Sequence, residues 1–142
     1  MLYLGSKRSV GVVKQLGIFL MVFGLAGCAG FSVKPGSASD RQEIVRERAQ
    51  LRWDALIKGD LDTAYKYLTP GTRSIVSLDV YRKKIRPGLW EKASVESVSC
   101  EADQCEVFML VEYSYRNMKS RKLQVKEFWL LDENDWWYVP KN

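Results

Sequence analysis

The chain has 142 residues, with 22 Lys+Arg against 17 Asp+Glu and no histidine. The missing histidine removes the commonest general base and the commonest zinc ligand. Three of the basic residues (Lys7, Arg8, Lys14) fall in the first 27 positions beside no acidic residue, so residues 28–142 carry 19 basic against 17 acidic side chains. These are interspersed, as on an ordinary solvated surface, and no nucleic-acid partner is inferred.

Lys7, Arg8 and Lys14 precede the apolar run Gly17–Leu25, and small residues then lead to a single cysteine, Cys28. A basic region, a short greasy stretch and a small-residue cut site make a secretory signal peptide. The uncharged stretch from Gln15 to Gly27 has 13 residues, short of the ~20 that a membrane-spanning helix needs. Leu25-Ala26-Gly27-Cys28 resembles the lipobox of bacterial lipoproteins. That resemblance implies diacylation of the Cys28 thiol, cleavage before it and acylation of the new amino group. One acyl chain holds a protein marginally, whereas two or three hold it firmly. By the same family logic Ala29, standing where an Asp would resemble an inner-membrane retention signal, favours the outer membrane. The expected location is the cell envelope, facing the periplasm, with the membrane as a partner through the N-terminal lipid.

Residues 1–27 are thus expected as signal peptide, 28–40 as lipidated cysteine and tether, and 41–142 as one domain. The segment AGFSVKPGSASD, residues 29–40, is rich in Gly, Ser and Pro and lacks an apolar period; fully extended it reaches at most ~40 Å. A helix follows, with a capping box at Ser39/Gln42 or Asp40/Glu43 and an apolar stripe of Val45, Ala49, Trp53 and Leu56. Gly59 ends it and Asp60 caps a second helix whose stripe is Leu61, Ala64, Tyr65 and Leu68. Thr69-Pro70-Gly71 reads as its stop, and a short third helix is expected after Ser77 with Leu78, Tyr81 and Ile85 inward.

The remainder is β. Strands are expected near Leu89–Cys100, Cys105–Asn117, Arg121–Asp132 and Trp136–Pro140, joined by short turns into an antiparallel meander. Helices followed by such a meander make an α+β layout. Cys100 and Cys105 flank Glu101–Gln104. In an exported protein a disulfide is the default, and directly opposed residues of an antiparallel ladder bring Cα atoms ~4.5–5.5 Å apart, close enough for one. The Cys-X-X-Cys spacing of a redox pair is absent. Carried straight along the hairpin, this register opposes Ser97 to Phe108, Val95 to Leu110 and Ala93 to Glu112. It puts Ala93, Val95, Phe108, Leu110 and Glu112 on the helix-covered face together with Leu123, Val125, Glu127, Trp129 and Leu131.

The run from Trp53 to Arg73, WDALIKGDLDTAYKYLTPGTR, resembles the opening of the nuclear-transport-factor-2-like (cystatin-like) superfamily, and Trp136-Trp137-Tyr138-Val139-Pro140 resembles its aromatic last strand. The resemblance spans about residues 40–140. It implies N-terminal helices packed in the concave face of a curved antiparallel sheet, a cone with a pocket inside. It says little of activity, because the superfamily hosts enzymes and non-catalytic modules alike. Its enzymes commonly use an Asp–His pair or an Asp with a Tyr, and the first is impossible without histidine.

Glu112 and Glu127 are the sharpest chemical candidates. In the straight register they share the covered face at ~7–8 Å between Cα atoms, where two carboxylates could couple and one become a general acid or base. The structural reading pairs each with a cation such as Arg52 or Arg73. The aromatics Trp53, Tyr65, Tyr67, Trp90, Phe108, Trp129, Trp136 and Trp137 either line a pocket for an apolar ligand or fill the core. The candidate pocket set is Trp53, Tyr65, Phe108, Glu112, Glu127 and Trp129. No phosphate loop, Ser-centred elbow or metal-ligand cluster appears, and no cofactor is implied. The sequence is therefore expected to encode a non-catalytic, lipid-anchored binding or assembly module whose partner is a protein or envelope component. The alternatives are an apolar-ligand-binding lipoprotein and a carboxylate acid/base enzyme.

Overall fold

Ser37 opens the first helix. Its hydroxyl accepts the Asp40 N–H at 3.2 Å while its own N–H donates to the Asp40 carboxylate at 2.8 Å, a reciprocal cap that satisfies two otherwise orphaned donors. The computed structural model describes residues 36–116 and 120–141; the expected signal peptide, Cys28 and most of the expected tether lie outside them. Helix α1 runs Ala38–Lys58, so residues 38–40 form its first turn rather than the end of a tether. Gly59 at φ 75° closes it. The Gly59 and Asp60 N–H groups turn back onto the carbonyls of Leu56 and Ala55, a left-handed close that glycine adopts without strain.

Asp60 caps α2 (Leu61–Lys66), Thr69 caps α3 (Pro70–Ile75) and Ser77 caps α4 (Leu78–Lys84). Helix α3 is unexpected from the sequence, where Thr69-Pro70-Gly71 reads as a stop. The Thr69 side chain accepts the Thr72 N–H, and Pro70 takes the first helical position, where its missing N–H costs nothing. The same three residues therefore start a helix.

Four strands follow, β1 (Trp90–Glu101), β2 (Gln104–Tyr113), β3 (Arg121–Asp132) and β4 (Asp135–Val139), in one antiparallel sheet of order β1-β2-β3-β4. The architecture is α+β, an open four-stranded sheet with helices. The β3–β4 turn places Glu133 and Asn134 at φ 50° and 63°, the two-residue arrangement that suits the right-handed twist of a hairpin.

Cys100 opposes Cys105 and Ser97 opposes Phe108, but Val95 then opposes Met109 and Ala93 opposes Val111. A bulge at Glu96 inserts one extra residue into β1, and beyond it the straight register slips by one. The helix-covered residues of β2 are accordingly Cys105, Val107, Met109 and Val111, all at 0–1% exposure. The expectation that Phe108, Leu110 and Glu112 share that face is corrected: they lie on the opposite one. Glu112 stands opposite Lys122 and pairs with it at 3.4 Å. Across β3, Glu127 and Trp129 do face the helices, at 2% and 1% exposure, whereas Leu123 is exposed.

Both sheet edges are occupied over part of their length. Along β1 the Gln50 side chain donates to the Ala93 carbonyl at 2.9 Å and accepts the Val95 N–H at 3.3 Å, and Arg46 donates to the Val95 carbonyl at 3.4 Å. Along β4 the Tyr138 N–H donates to the Tyr67 carbonyl and the Thr69 N–H to the Tyr138 carbonyl. Covering the backbone of an edge strand blunts edge-to-edge association.

A disulfide joins Cys100 and Cys105 across the β1–β2 hairpin, with Cα atoms 4.1 Å apart. The loop it closes is short, so in the chain-entropy account it stabilises by only ~2 kcal/mol, against about 5–15 kcal/mol for a typical domain. Thermal melts with and without reductant should therefore show a lowered but still cooperative transition. Unfolding at room temperature on mild reduction would contradict this weighting.

Candidate functional site

Helix α1 presents Val45, Ala49, Arg52, Trp53, Ala55 and Leu56 to the sheet. Arg52 belongs to this stripe by spacing, seven residues after Val45 and three after Ala49, which lays a guanidinium on an apolar face. Opposite it β3 supplies Glu127. Arg52 Nη1 donates to Glu127 Oε1 at 2.6 Å, Trp53 Nε1 donates to the same oxygen at 2.7 Å, and Trp129 Nε1 donates to Oε2 at 3.2 Å. The guanidinium carbon lies 3.6 Å from the centre of the Tyr138 ring, a close cation–π contact. Tyr81 of α4 completes the surroundings, 7% exposed. Its hydroxyl and Arg52 Nε have no hydrogen-bond partner among the described residues.

Burial by itself would depress the Arg52 guanidinium; the charge of Glu127, the two nearby phenols and the hydrogen bond to Glu127 outweigh it and hold the group above its ordinary value. Burial pushes the Tyr81 and Tyr138 phenols up, against the opposing pull of the Arg52 charge. The arrangement is a closed hub in which one cation and one anion neutralise each other. Both oxygens of Glu127 accept hydrogen bonds from buried donors.

The six residues proposed for a pocket do not converge. Trp53, Glu127 and Trp129 meet in the hub. Tyr65 stands apart on α2, its hydroxyl 2.6 Å from the Val76 carbonyl, to which it donates, and 3.2 Å from that of Arg73; its ring packs on Tyr81 with centroids 5.5 Å apart. Phe108 and Glu112 are on the far side of the sheet, where Lys126 Nζ lies 5.5 Å from the Phe108 ring centre. Two cavities lie elsewhere. One of ≈ 290 Å³ is lined by Ser99, Glu101, Gln104, Glu106 and Phe128. Another of ≈ 410 Å³ runs between α1 and the β1 edge, past Arg46, Gln50, Leu51 and Val95. Neither touches Glu127. Among the described residues no group of three or more His, Cys, Asp or Glu side chains is placed to hold a metal ion, and no helix is long and apolar enough to cross a membrane.

Tyr81 and Tyr138 are the hub members that the sequence reading missed as site residues. Arg52 was foreseen only as one possible partner, although its place on the apolar stripe of α1 was a usable signal. Nothing local to Tyr138 announces that a cation will sit on its ring, since the two meet only once β4 pairs with β3.

No family model and no curated protein matches the chain. Among solved structures it is similar to a SEC-C motif containing protein from Rhodopseudomonas palustris, at 14% identity and TM-score 0.51 over 63% of this chain and 70% of that one. It is also similar to a Campylobacter jejuni protein described as an NTF2-like transpeptidase (14%, TM-score 0.47, 67% and 96%) and to the association domain of C. elegans CaMKII (17%, TM-score 0.46, 71% and 92%). At 14% identity the first likeness is one of fold alone.

Proposed function

We propose that this chain is a lipid-anchored protein of the bacterial envelope whose nuclear-transport-factor-2-like domain is a non-catalytic module for binding or assembly. The anchor rests on Leu25-Ala26-Gly27-Cys28 at the end of a basic-then-apolar leader. The family rests on the Trp53–Arg73 run and the aromatic last strand. One observation carries the non-catalytic reading. The sheet face that would form a pocket is filled by Val107, Met109, Val111 and Trp129, each at most 1% exposed, and its one carboxylate is held by Arg52 and two indoles. A ligand-binding cone would need an open interior of several hundred Å³ there. The domain therefore acts through its outside, on a protein or envelope component, facing the periplasm and most simply from the outer membrane.

Crosslinking the acylated protein in its native envelope tests this. The expected result is a small, reproducible set of protein or cell-wall adducts that survives a charge-neutral substitution at Glu112. A stoichiometric apolar molecule retained through purification, raising the melting temperature when added back, would replace this reading with the ligand-binding one.

A further inference from the structure

Ile75, at the end of α3, is 83% exposed, the most exposed of the large apolar side chains that reach solvent among the described residues. Its backbone is nevertheless held. The Tyr65 hydroxyl donates to the Val76 carbonyl, Arg73 Nε donates to the Leu68 carbonyl at 3.2 Å, and the Val76 N–H closes onto Thr72. Ser77 then caps α4 two residues later. An isoleucine displayed on a pinned corner is a built feature rather than a loose end. Val80, the first exposed apolar residue of α4, is 43% exposed. It shares a helix face with Lys83 and Lys84 at i, i+3 and i+4.

The segment that carries this apolar tip is basic. Between Gly71 and Leu89 five basic residues accompany a single acidic one, Asp79. Arg82 engages Asp79 and Asp62, which leaves Lys83, Lys84 and Arg86 exposed and without an ion-pair partner among the described residues. The end of α1 packs here as well: a Cβ built on Gly59 would sit 3.6 Å from Pro87 Cβ, and the preceding Lys58 is exposed. An exposed apolar tip on a segment with unpaired exposed cations fits the boundary of an anionic bilayer, where the side chain enters the headgroup layer and the cations meet lipid phosphate.

We infer that the segment from α3 through α4, with Ile75 exposed at the α3–α4 corner and Lys83, Lys84 and Arg86 exposed at and just past the end of α4, is a second membrane contact that lays the domain on an anionic lipid surface. This rests on the lipid-anchored reading above. Chain reach allows it. The nine residues from Ala29 to Ser37 extend to about 30 Å, and the 21 residues of α1 measure about 31 Å. The corner at the far end of α1 therefore reaches the bilayer that holds Cys28 when α1 lies along it. Acylation holds the protein at the membrane, and the corner sets its orientation.

The test uses the acylated mature protein with Ile75→Cys carrying an environment-sensitive fluorophore. With Cys28 acylated and Cys100 and Cys105 disulfide-bonded, the introduced thiol is the reactive one. The protein is placed on vesicles of phosphatidylcholine, or of phosphatidylcholine and phosphatidylglycerol in equal parts. On the anionic vesicles the emission should shift to the blue and be quenched by lipid-borne quenchers. On neutral vesicles, and for a control label at Leu123→Cys, it should stay that of a wet probe. Each of Lys83→Glu, Lys84→Glu and Arg86→Glu should lower the docked fraction about fivefold or more, and molar salt should do the same by shortening the screening length to about 3 Å. All three are exposed, so thermal melts should be unchanged. If the protein floats with both vesicle types and the Ile75 probe stays wet on both, the inference is overturned and the anchor stands. If it fails to float at all, the anchor fails and the inference with it. If the probe is dry regardless of lipid charge and tracks protein density, the corner contacts a second copy instead, which also overturns the inference.

Discussion

Replacing Arg52 or Glu127 singly by Ala is expected to destabilise the domain by about 3–5 kcal/mol, a large part of the 5–15 kcal/mol of a typical domain. Each substitution strands a buried charge: Glu127 is 2% exposed, Arg52 is 5% exposed, and their contact is 2.6 Å. Removing Glu127 also leaves the Trp53 and Trp129 N–H groups without the acceptor they share, at about 1–3 kcal/mol for an unmade buried hydrogen bond. The two losses must not add, because once one charge is gone the other has nothing left to neutralise. The Arg52→Met/Glu127→Leu double variant should be more stable than Glu127→Ala but less stable than the native chain, since the indoles remain unpaired. Urea midpoints at constant slope measure this. A loss below about 1 kcal/mol in either single variant, or strict additivity, would mean that the hub is wetter and looser than these distances imply. A gain in stability for Glu127→Gln, accompanied by loss of a cellular phenotype, would revive the acid/base reading.

Changing Cys28 to Ser should release the protein from membranes or block its maturation. The thiol is the proposed attachment point, and without it the chain has neither acyl chains nor, among the described residues, a helix able to span a bilayer. Fractionation should find the variant either in the periplasmic fraction or as an uncleaved precursor. Mass spectrometry of the native membrane fraction should find a mature chain beginning at acylated Cys28. An unmodified Cys28 thiol in that fraction would remove the anchor and the localisation argued from it.

The elements of the domain were legible because their signals are local. The stripe Val45, Ala49, Trp53 and Leu56 needs only a 3.6-residue period, and all four are buried. The same holds for the caps at Asp60 and Ser77 and for the alternation along β3. Pro70 was ambiguous locally, since a proline both ends one helix and begins the next, and which it does depends on whether Thr69 is free to cap. The register was legible from the cysteines as far as Ser97 and no further. A bulge carries no signature in its own residue, and Glu96 shifts the pairing of everything before it.

The pairing of β2 with β3 decided the candidate site. In the straight register Glu112 and Glu127 are neighbours in a covered interior and suggest chemistry; with Val107 opposite Glu127 and Lys122 opposite Glu112, the two lie on opposite faces, Glu112 outside with Lys122 and Glu127 inside with Arg52. The sequence by itself determined where the strands and the helices other than α3 lie, which face of α1 is apolar, and that the leader carries a lipobox-like cysteine, because these depend on residues within a few positions of one another. Tertiary structure decided what the buried carboxylate touches. The carboxylate of Glu127, the guanidinium 75 positions earlier and the Tyr138 ring meet only when α1 packs on the sheet, and whether a charge is a catalyst or a strut depends on what lies within about 4 Å of it.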